Sequence, residues 1–463
     1  MKVSDSIRRA GRSLKNAKGR TVLTSLAIAV GSFTLTLSLA AGQGAREYAD
    51  NLISSNVDPQ SIFIAKDPSL FGEGGGGFGG GGLKEYDAGA TEFGGATLKS
   101  LDQKDISIVE GTDGVEKVMP TYLVRAEYVT FEVAGKTKYT SDITAYDSSV
   151  LAETAAGTLP ELGSQIKDGT IVVPEAFAKT LKKTPKELIG TTVSLAIQRA
   201  PETPTEAEVQ QALLSGGQAA LESIFEGEQK VETFTITGVS ADSVNSLSAS
   251  SALFISATDA KKLSEYATQG TDQYQKYITA TVKIKDAFDP EAVKQSFKTE
   301  FDKYDNGDHI IAKTAKDLQG LLFTIVNILQ GIVIGFGVLA LIASAFGIIN
   351  TQYISVLERT REIGLMKALG MRGRHVSRLF QLEAAWIGFL GGVLGAALAF
   401  GLGTLLNPWI SDTIGLGDQY LLIFQPLPIA ALIVALMLLA MVAGLLPARK
   451  AAKLDPIEAL RAE

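Results

Sequence analysis

Residues Leu318–Leu357 read LQGLLFTIVNILQGIVIGFGVLALIASAFGIINTQYISVL, forty consecutive positions without an Asp, Glu, Lys or Arg. A bilayer-spanning helix needs roughly 20 apolar residues, so this stretch has length to spare. As a helix it would reach about 60 Å, against a hydrocarbon core of about 30 Å. It must therefore tilt or begin outside the lipid as a stalk. The polar residues Asn327 and Gln330 favour a stalk for the first turns, leaving roughly Gly331–Asn350 in lipid.

Working outward, three further stretches are free of charge: Thr21–Ala45 (25 residues), Ala384–Ser411 (28) and Gln419–Ala448 (30). The remaining 340 residues carry all 93 charged side chains, or 27%, close to the roughly 25% of soluble proteins. The chain of 463 residues, 46% hydrophobic and 20% charged, thus joins two chemistries. Its hydrophobicity rules out a disordered chain, and its uneven charge argues against an ordinary soluble enzyme. There is no cysteine, which excludes disulfides, thiolate zinc sites and a cysteine nucleophile. The two histidines, His309 and His375, are far apart in sequence and do not suggest a metal cluster. Leu39–Gly42 resembles a signal-peptide cleavage site. However, a charged lead of 20 residues precedes an apolar run longer than the usual 7–15 or so, so a retained span is expected.

Charge gives the topology. Residues 1–20 hold seven Lys/Arg against Asp5 alone, residues 358–383 hold six bases and three acids, and residues 449–463 hold four and three. The segment 46–317 holds 26 bases and 41 acids, and the loop 412–418 holds only Asp412 and Asp418. By the positive-inside rule both termini lie in the cytoplasm, with four spans and a large domain outside. The expected order is a cytoplasmic amphipathic helix (1–20), a first span (21–45), an extracytoplasmic domain (46–317) and a stalk with the second span (318–350). A cytoplasmic segment (351–383), a third span (384–408), a short outer loop (409–425), a fourth span (426–447) and a cytoplasmic tail (448–463) follow. The first span can continue outward through Arg46–Leu52. Pro426 and Pro428 suit the first turn of the fourth, and Trp409 and Tyr420 suit an outer interface.

The outer segment reads as α+β. Strands are expected at Ser61–Ala65, Tyr122–Val133, Thr137–Tyr146, Thr170–Val173, Thr191–Ile197, Val231–Val239, Ser251–Ile255 and Tyr277–Ile284. Helices are expected at Thr97–Glu110, Pro174–Lys182, Asp259–Tyr266 and Pro290–Tyr304. Gly72–Gly82 holds nine glycines in eleven residues, a low-complexity loop or a flexible grasping one. A second, acidic insert spans Gln198–Glu232, with a helix expected near Thr205–Leu214.

No nucleotide site is legible. Gly135-Lys136-Thr137 is the nearest approach to a phosphate-binding loop, but the required first glycine falls on Thr130 and the context is strand–turn–strand. No catalytic acid pair or nucleophile elbow is present, so no catalytic residue and no metal ligand is assigned. The spans carry almost no ionisable group, which weakens the secondary-transporter and ion-pump readings. Gly331 and Gly335, Ala343 and Gly347, and Gly391 and Gly395 have the spacing of close helix contacts.

On the cytoplasmic side, Val3, Ile7, Ala10 and Leu14 form an amphipathic pattern among basic residues. The sequence from Gly347, GIINTQYISVLERTREIGLMKALG, resembles the signature of MacB-type, FtsX-like ABC transporter permeases. The tail Gly444–Arg461, GLLPARKAAKLDPIEALR, and the start, Ser6–Ala10 with Lys18–Gly31, resemble the same family. The outer stretches Asp105–Asp147 and Thr170–Ser194 do so more loosely.

That resemblance implies a multi-pass inner-membrane protein with four transmembrane helices and a large α+β extracytoplasmic domain. A ferredoxin-like porter lobe would use about 53–155 and 245–312, and a β-rich sabre lobe would be inserted at about 156–244. The implied partners are a second copy of the chain, the bilayer and a separate cytoplasmic ABC ATPase, with ATP and magnesium on that ATPase. A membrane-fusion or other extracytoplasmic protein is a further option, and no nucleic acid is expected. The resemblance also implies a coupling helix at about Ser355–Leu369. There, Val356, Ile363 and Met366 would form an apolar contact face, and Glu358, Arg359, Arg361 and Glu362 polar contacts. Ser355, Leu357, Thr360 and Gly364 complete the expected ATPase-coupling segment. The implied function is mechanotransmission for export of a peptide, antibiotic or lipid-like substrate. The alternatives are an FtsX-like regulator of wall hydrolases, a lipoprotein-releasing permease and a membrane-anchored sensor.

Overall fold

The computed structural model describes residues 10–11, 18–71, 91–93, 96–199, 205–207, 209–211, 213–215, 228–242, 252–304, 309–416 and 419–461. The polyglycine stretch, the positions Val3, Ile7 and Leu14, and much of the 198–232 insert lie outside the described residues. The chain divides into two compact units, Met1–Ala49 with Leu322–Glu463, and Asp50–Leu321.

In the first unit, four helices are long and apolar enough to cross a membrane. The first is Lys18–Asn56, the second Ala315–Glu358, the third Gly373–Ile414 and the fourth Pro426–Ala443. The outward continuation of the first helix and the early start of the second are both present. Pro426 sits in the first turn of the fourth helix, where a missing N–H costs nothing. The third helix starts earlier than expected, at Gly373, so the last third of the cytoplasmic segment is a helical extension of that span.

Helices in lipid are held by close packing and interhelical hydrogen bonds, and glycines allow both here. A Cβ on Gly395 would lie 2.4 Å from the Ala29 carbonyl oxygen and 2.6 Å from Ser32 Cβ. A Cβ on Gly391 would lie 2.8 Å from the Ser25 carbonyl oxygen. The third helix can therefore rest directly on the backbone of the first. Ser32 Oγ then donates to the Gly392 carbonyl at 2.8 Å, and Ser344 Oγ to the Ala27 carbonyl at 2.9 Å. Ile28, Leu35, Leu341, Ile348, Ile387 and Leu436 fill the space between the helices. Gly331, Gly335 and Gly347 have no neighbouring atom within 4 Å of such a Cβ. Of the three small-residue pairs, only Gly391 and Gly395 form a tight contact within this chain.

Among the described residues the second unit contains three sheets, the smallest being the pair Thr91–Phe93 and Ala96–Leu98. The four-stranded one has the order Ile311–Thr314, Ser61–Ala65, Thr279–Ile284, Val115–Pro120, all antiparallel. With the helices Gln103–Glu110 and Pro290–Tyr304 it has the βαββαβ order of a ferredoxin-like fold. Ile62, Ile64, Ile106, Val282, Phe297 and Phe301 form its core. The first helix begins at Gln103, later than the expected Thr97, because Asp102 and Asp105 form a reciprocal capping box. The Asp105 N–H donates to Asp102 Oδ1 at 3.0 Å and the Asp102 N–H to Asp105 Oδ2 at 2.8 Å, satisfying two otherwise orphaned donors.

The larger sheet closes on itself. Thr192–Gln198 pairs with Gln229–Ser240, which pairs with Thr170–Pro174, then Ala252–Ile255, Asp142–Ala145 and Leu123–Phe131. The last strand returns to the first through Val193–Ile197. Ring closure removes the edges of these six strands. Val129, Ile143, Ile171, Leu195, Ile236 and Leu253 point into one core. Lys138–Tyr139 and Thr154–Gly157 add to the outside of the ring.

This barrel corrects the expected lobe boundaries. Residues 121–155 and 245–276 belong with the β-rich lobe wherever they are described, not with the porter lobe. The chain passes between lobes at Thr121 and Thr279. There the Thr121 N–H donates to the Thr279 carbonyl at 2.9 Å, and the two hydroxyls are 2.9 Å apart. The rings of Tyr122 and Tyr277 meet edge to face beside this crossing, 5.4 Å between centroids.

The helix contacts give a direct test. Gly395→Val should cost about 1–3 kcal/mol or more, because the colliding atoms are backbone. Gly401→Val, with no atom within 4 Å, should leave the thermal unfolding midpoint of the detergent-purified chain unchanged. Equal midpoints for the two variants would contradict this packing.

Candidate functional site

The second long helix ends at Glu358, and Arg359, with φ −105° and ψ 15°, breaks it. Thr360 caps the break by donating its hydroxyl to the carbonyls of Val356 at 3.0 Å and Leu357 at 2.8 Å. A short helix, Thr360–Ala368, follows. It stops at Gly370, whose φ of +94° lies in the region that a glycine adopts without strain.

The tail forms the bed for this short helix. After Ala443 it continues as Leu445–Lys453 and Pro456–Arg461. A Cβ on Gly364 would sit 2.7 Å from Ala459 Cβ, so glycine lets the two helices touch. Lys367 Nζ donates to the Ala452 carbonyl at 3.0 Å and also to the Leu454 carbonyl. Val356, Ile363, Val376, Phe380, Ala448 and Ala451 form a small core, with Met366 and Leu454 packed against it. The two family-like motifs, far apart in sequence, are therefore one packing unit.

An ion pair braces the break. Arg359 Nη1 lies 3.1 Å from Glu383 Oε1, and its Nε lies 3.1 Å from Glu362 Oε2. Its guanidinium also stands 5.7 Å from the centre of the Phe380 ring. The Glu383 side chain is only 3% exposed. Burial disfavours the charged form of Arg359, but Glu383 and Glu362 outweigh it and hold the guanidinium pKa above its ordinary value. Nearby, the Lys450 ammonium lies over the Tyr353 ring, 4.1 Å from its centre.

Two expectations are corrected. Val356 and Ile363 are fully buried and Met366 is half-buried against them, so the expected apolar contact face points into the protein. Arg359 likewise turns inward to Glu383. Ser355 and Thr360 are half-buried, Gly364 is buried, and Leu357, Glu358, Arg361 and Glu362 are exposed. The exposed apolar side chains are instead Leu357, Leu365 and Leu369, the last 81% accessible. Arg361, Leu365 and Leu369 follow one another at intervals of four, the spacing that places side chains on one helical face. That spacing was visible in the sequence and would have singled out Leu365 and Leu369.

Residues 21–300 match the family model for the MacB-like periplasmic core domain, and residues 319–456 match that for the FtsX-like permease C-terminal domain. The chain is 32% identical over 200 residues to an uncharacterized ABC transporter permease of Methanocaldococcus jannaschii, covering 41% of this chain and 47% of that one. It is 42% identical over 123 residues to the macrolide export ATP-binding/permease protein MacB of Psychrobacter cryohalolentis, covering 27% of this chain and 18% of that one. The chain thus spans less than half the length of either relative. The periplasmic region of MacB from Actinobacillus actinomycetemcomitans aligns with 58% of this chain and 94% of its own, at 12% identity and a TM-score of 0.31.

The brace is testable alone. Glu383→Leu should destabilise the purified chain by about 2–3 kcal/mol, below the usual cost of breaking a buried pair because Arg359 keeps some solvent. Arg359→Met combined with Glu383→Leu should recover most of that loss. A double variant as unstable as the sum of the singles would show that the two side chains act independently.

Proposed function

Since this chain belongs to the MacB-type, FtsX-like family of ABC transporter permeases, we propose that it converts ATP hydrolysis on a separate cytoplasmic ATPase into movement of its extracytoplasmic domain. The observation that carries this reading is the short helix Thr360–Ala368 at the end of the second long helix. It is held from behind by the tail and by Glu383, and it presents Arg361, Leu365 and Leu369 outward. An apolar pair beside an uncompensated charge is the composition of a small protein contact. The charge pattern of the segments supports a cytoplasmic position for this face, where the ATPase and its ATP and magnesium would be.

A push on the short helix passes to the second long helix through the break at Arg359. It passes to the third through the Arg359–Glu383 pair, and to the fourth through the tail packed on Gly364. A second copy of the chain would supply the matching half of the assembly. The few charges within the spans support work done on the outer domain over an ion pathway through the bundle. The cargo class that best suits this arrangement is an amphiphile or peptide exported from outside the cytoplasmic membrane.

The test is affinity purification of the full-length chain from its native membranes, with mass spectrometry of what accompanies it. An ABC ATPase should co-purify, together with ATPase activity. Replacing Arg361 and Leu365 by Ala should reduce the co-purified activity about tenfold or more, without lowering expression or the unfolding midpoint. Unchanged activity in that double variant would refute the contact assigned to this face.

A further inference from the structure

At the end of the bundle that leads to the extracytoplasmic domain, the first three long helices and the loop before the fourth enclose a pocket of about 640 Å³. That volume is in the roughly 300–1,000 Å³ range of sites for small organic molecules. Leu37, Val333, Leu406 and Leu422 are representative of its walls, and its polar exceptions include Ser38 and Gln330. Val333 and Leu406 are 40% and 44% accessible, so the pocket faces sideways, into what would be the hydrocarbon of the bilayer.

Arg46 stands one helical turn beyond Gly42, which lines this pocket. Its Nη2 donates to Asn327 Oδ1 at 2.7 Å and to Gln330 Oε1 at 2.9 Å. These carboxamide oxygens orient the guanidinium but do not neutralise it. No carboxylate among the described residues is within ion-pair distance of Arg46. A half-buried guanidinium with unused donors is a phosphate ligand by geometry and charge.

We propose that this pocket is a lateral binding site for an anionic glycerophospholipid of the outer leaflet. An acyl chain lies along the apolar walls and the phosphodiester sits on Arg46. Charge complementarity selects this occupant: an unneutralised cation at the mouth of an apolar cavity opening onto lipid matches an anionic head on a hydrocarbon tail. The site needs only the membrane placement of the bundle, not the ATPase coupling proposed above, so the two proposals fail separately.

The experiment uses the full-length chain in nanodiscs of equimolar phosphatidylglycerol and phosphatidylcholine, with native mass spectrometry of the lipids retained on release. The wild type should retain one phosphatidylglycerol in preference to phosphatidylcholine by about tenfold. Arg46→Gln should bring that ratio close to one, and Arg46→Lys should keep most of it. Leu406→Trp, which fills the cavity, should lower retention of both lipids. Should Arg46→Gln fail to fold, the lysine and tryptophan variants decide. A wild type without headgroup preference, a ratio unmoved by Arg46→Gln, or retention unmoved by Leu406→Trp would overturn the proposal. So would a dimer that retains neither lipid and that Leu406→Trp splits, since a second copy would then occupy the pocket.

Discussion

Lipid tails are as apolar as leucine, so helices in a bilayer gain little by hiding leucines from their surroundings. Everything in the membrane unit depends on what replaces that drive, the close approach of backbones at Gly388, Gly391 and Gly395. A Cβ on Gly388 would meet the Leu436 carbonyl at 2.7 Å, so the fourth helix is drawn onto the third as the third is onto the first. The Ser32 hydroxyl reaches the Gly392 carbonyl at 2.8 Å because the glycines beside it let the first and third helices approach. The exposed leucines and isoleucines of the second helix are what a lipid-facing surface should carry.

Much of this was legible beforehand, for physical reasons. Uncharged runs longer than a bilayer have few other uses, so the spans were plain. Their ends were less so, because charge marks where lipid stops and not where a helix stops. The third helix runs back to Gly373 through Arg374, His375 and Arg378, which is ordinary for a helix leaving the membrane. In the outer unit, Val115–Pro120 and Ile311–Thr314 escaped notice. Both are short edge strands, and each pairs on one side only, so neither needs a strongly patterned sequence.

The segment expected to meet an ATPase shows a different limit. Its apolar side was expected to meet a partner, yet Val356 and Ile363 pack within the protein. Periodicity reports that Val356 and Ile363 share a buried face, but not which surface buries them. The answer lay in the tail and the third helix: Ala459 meets the short helix at Gly364, and Ala448 and Ala451 share a core with Val376 and Phe380. Where two motifs of one chain pack together, the apolar residues left exposed are those that the pattern treats as ordinary surface, here Leu365 and Leu369.

The double crossing at Thr121 and Thr279 has a mechanical meaning. A lobe tethered by one strand can swivel, but one tethered by two strands lying side by side has a defined axis, the line through both. Here the barrel lobe is also fixed at a second place, where the Asp58 N–H donates to the Ser149 carbonyl at 2.9 Å and the Leu151 N–H to the Asn56 carbonyl at 2.7 Å, so turning about that line is opposed. Thr281 adds a hydrogen bond from its hydroxyl to Asp147 Oδ2 at 2.6 Å, so a displacement of the four-stranded lobe is carried into the barrel and not lost at a swivel.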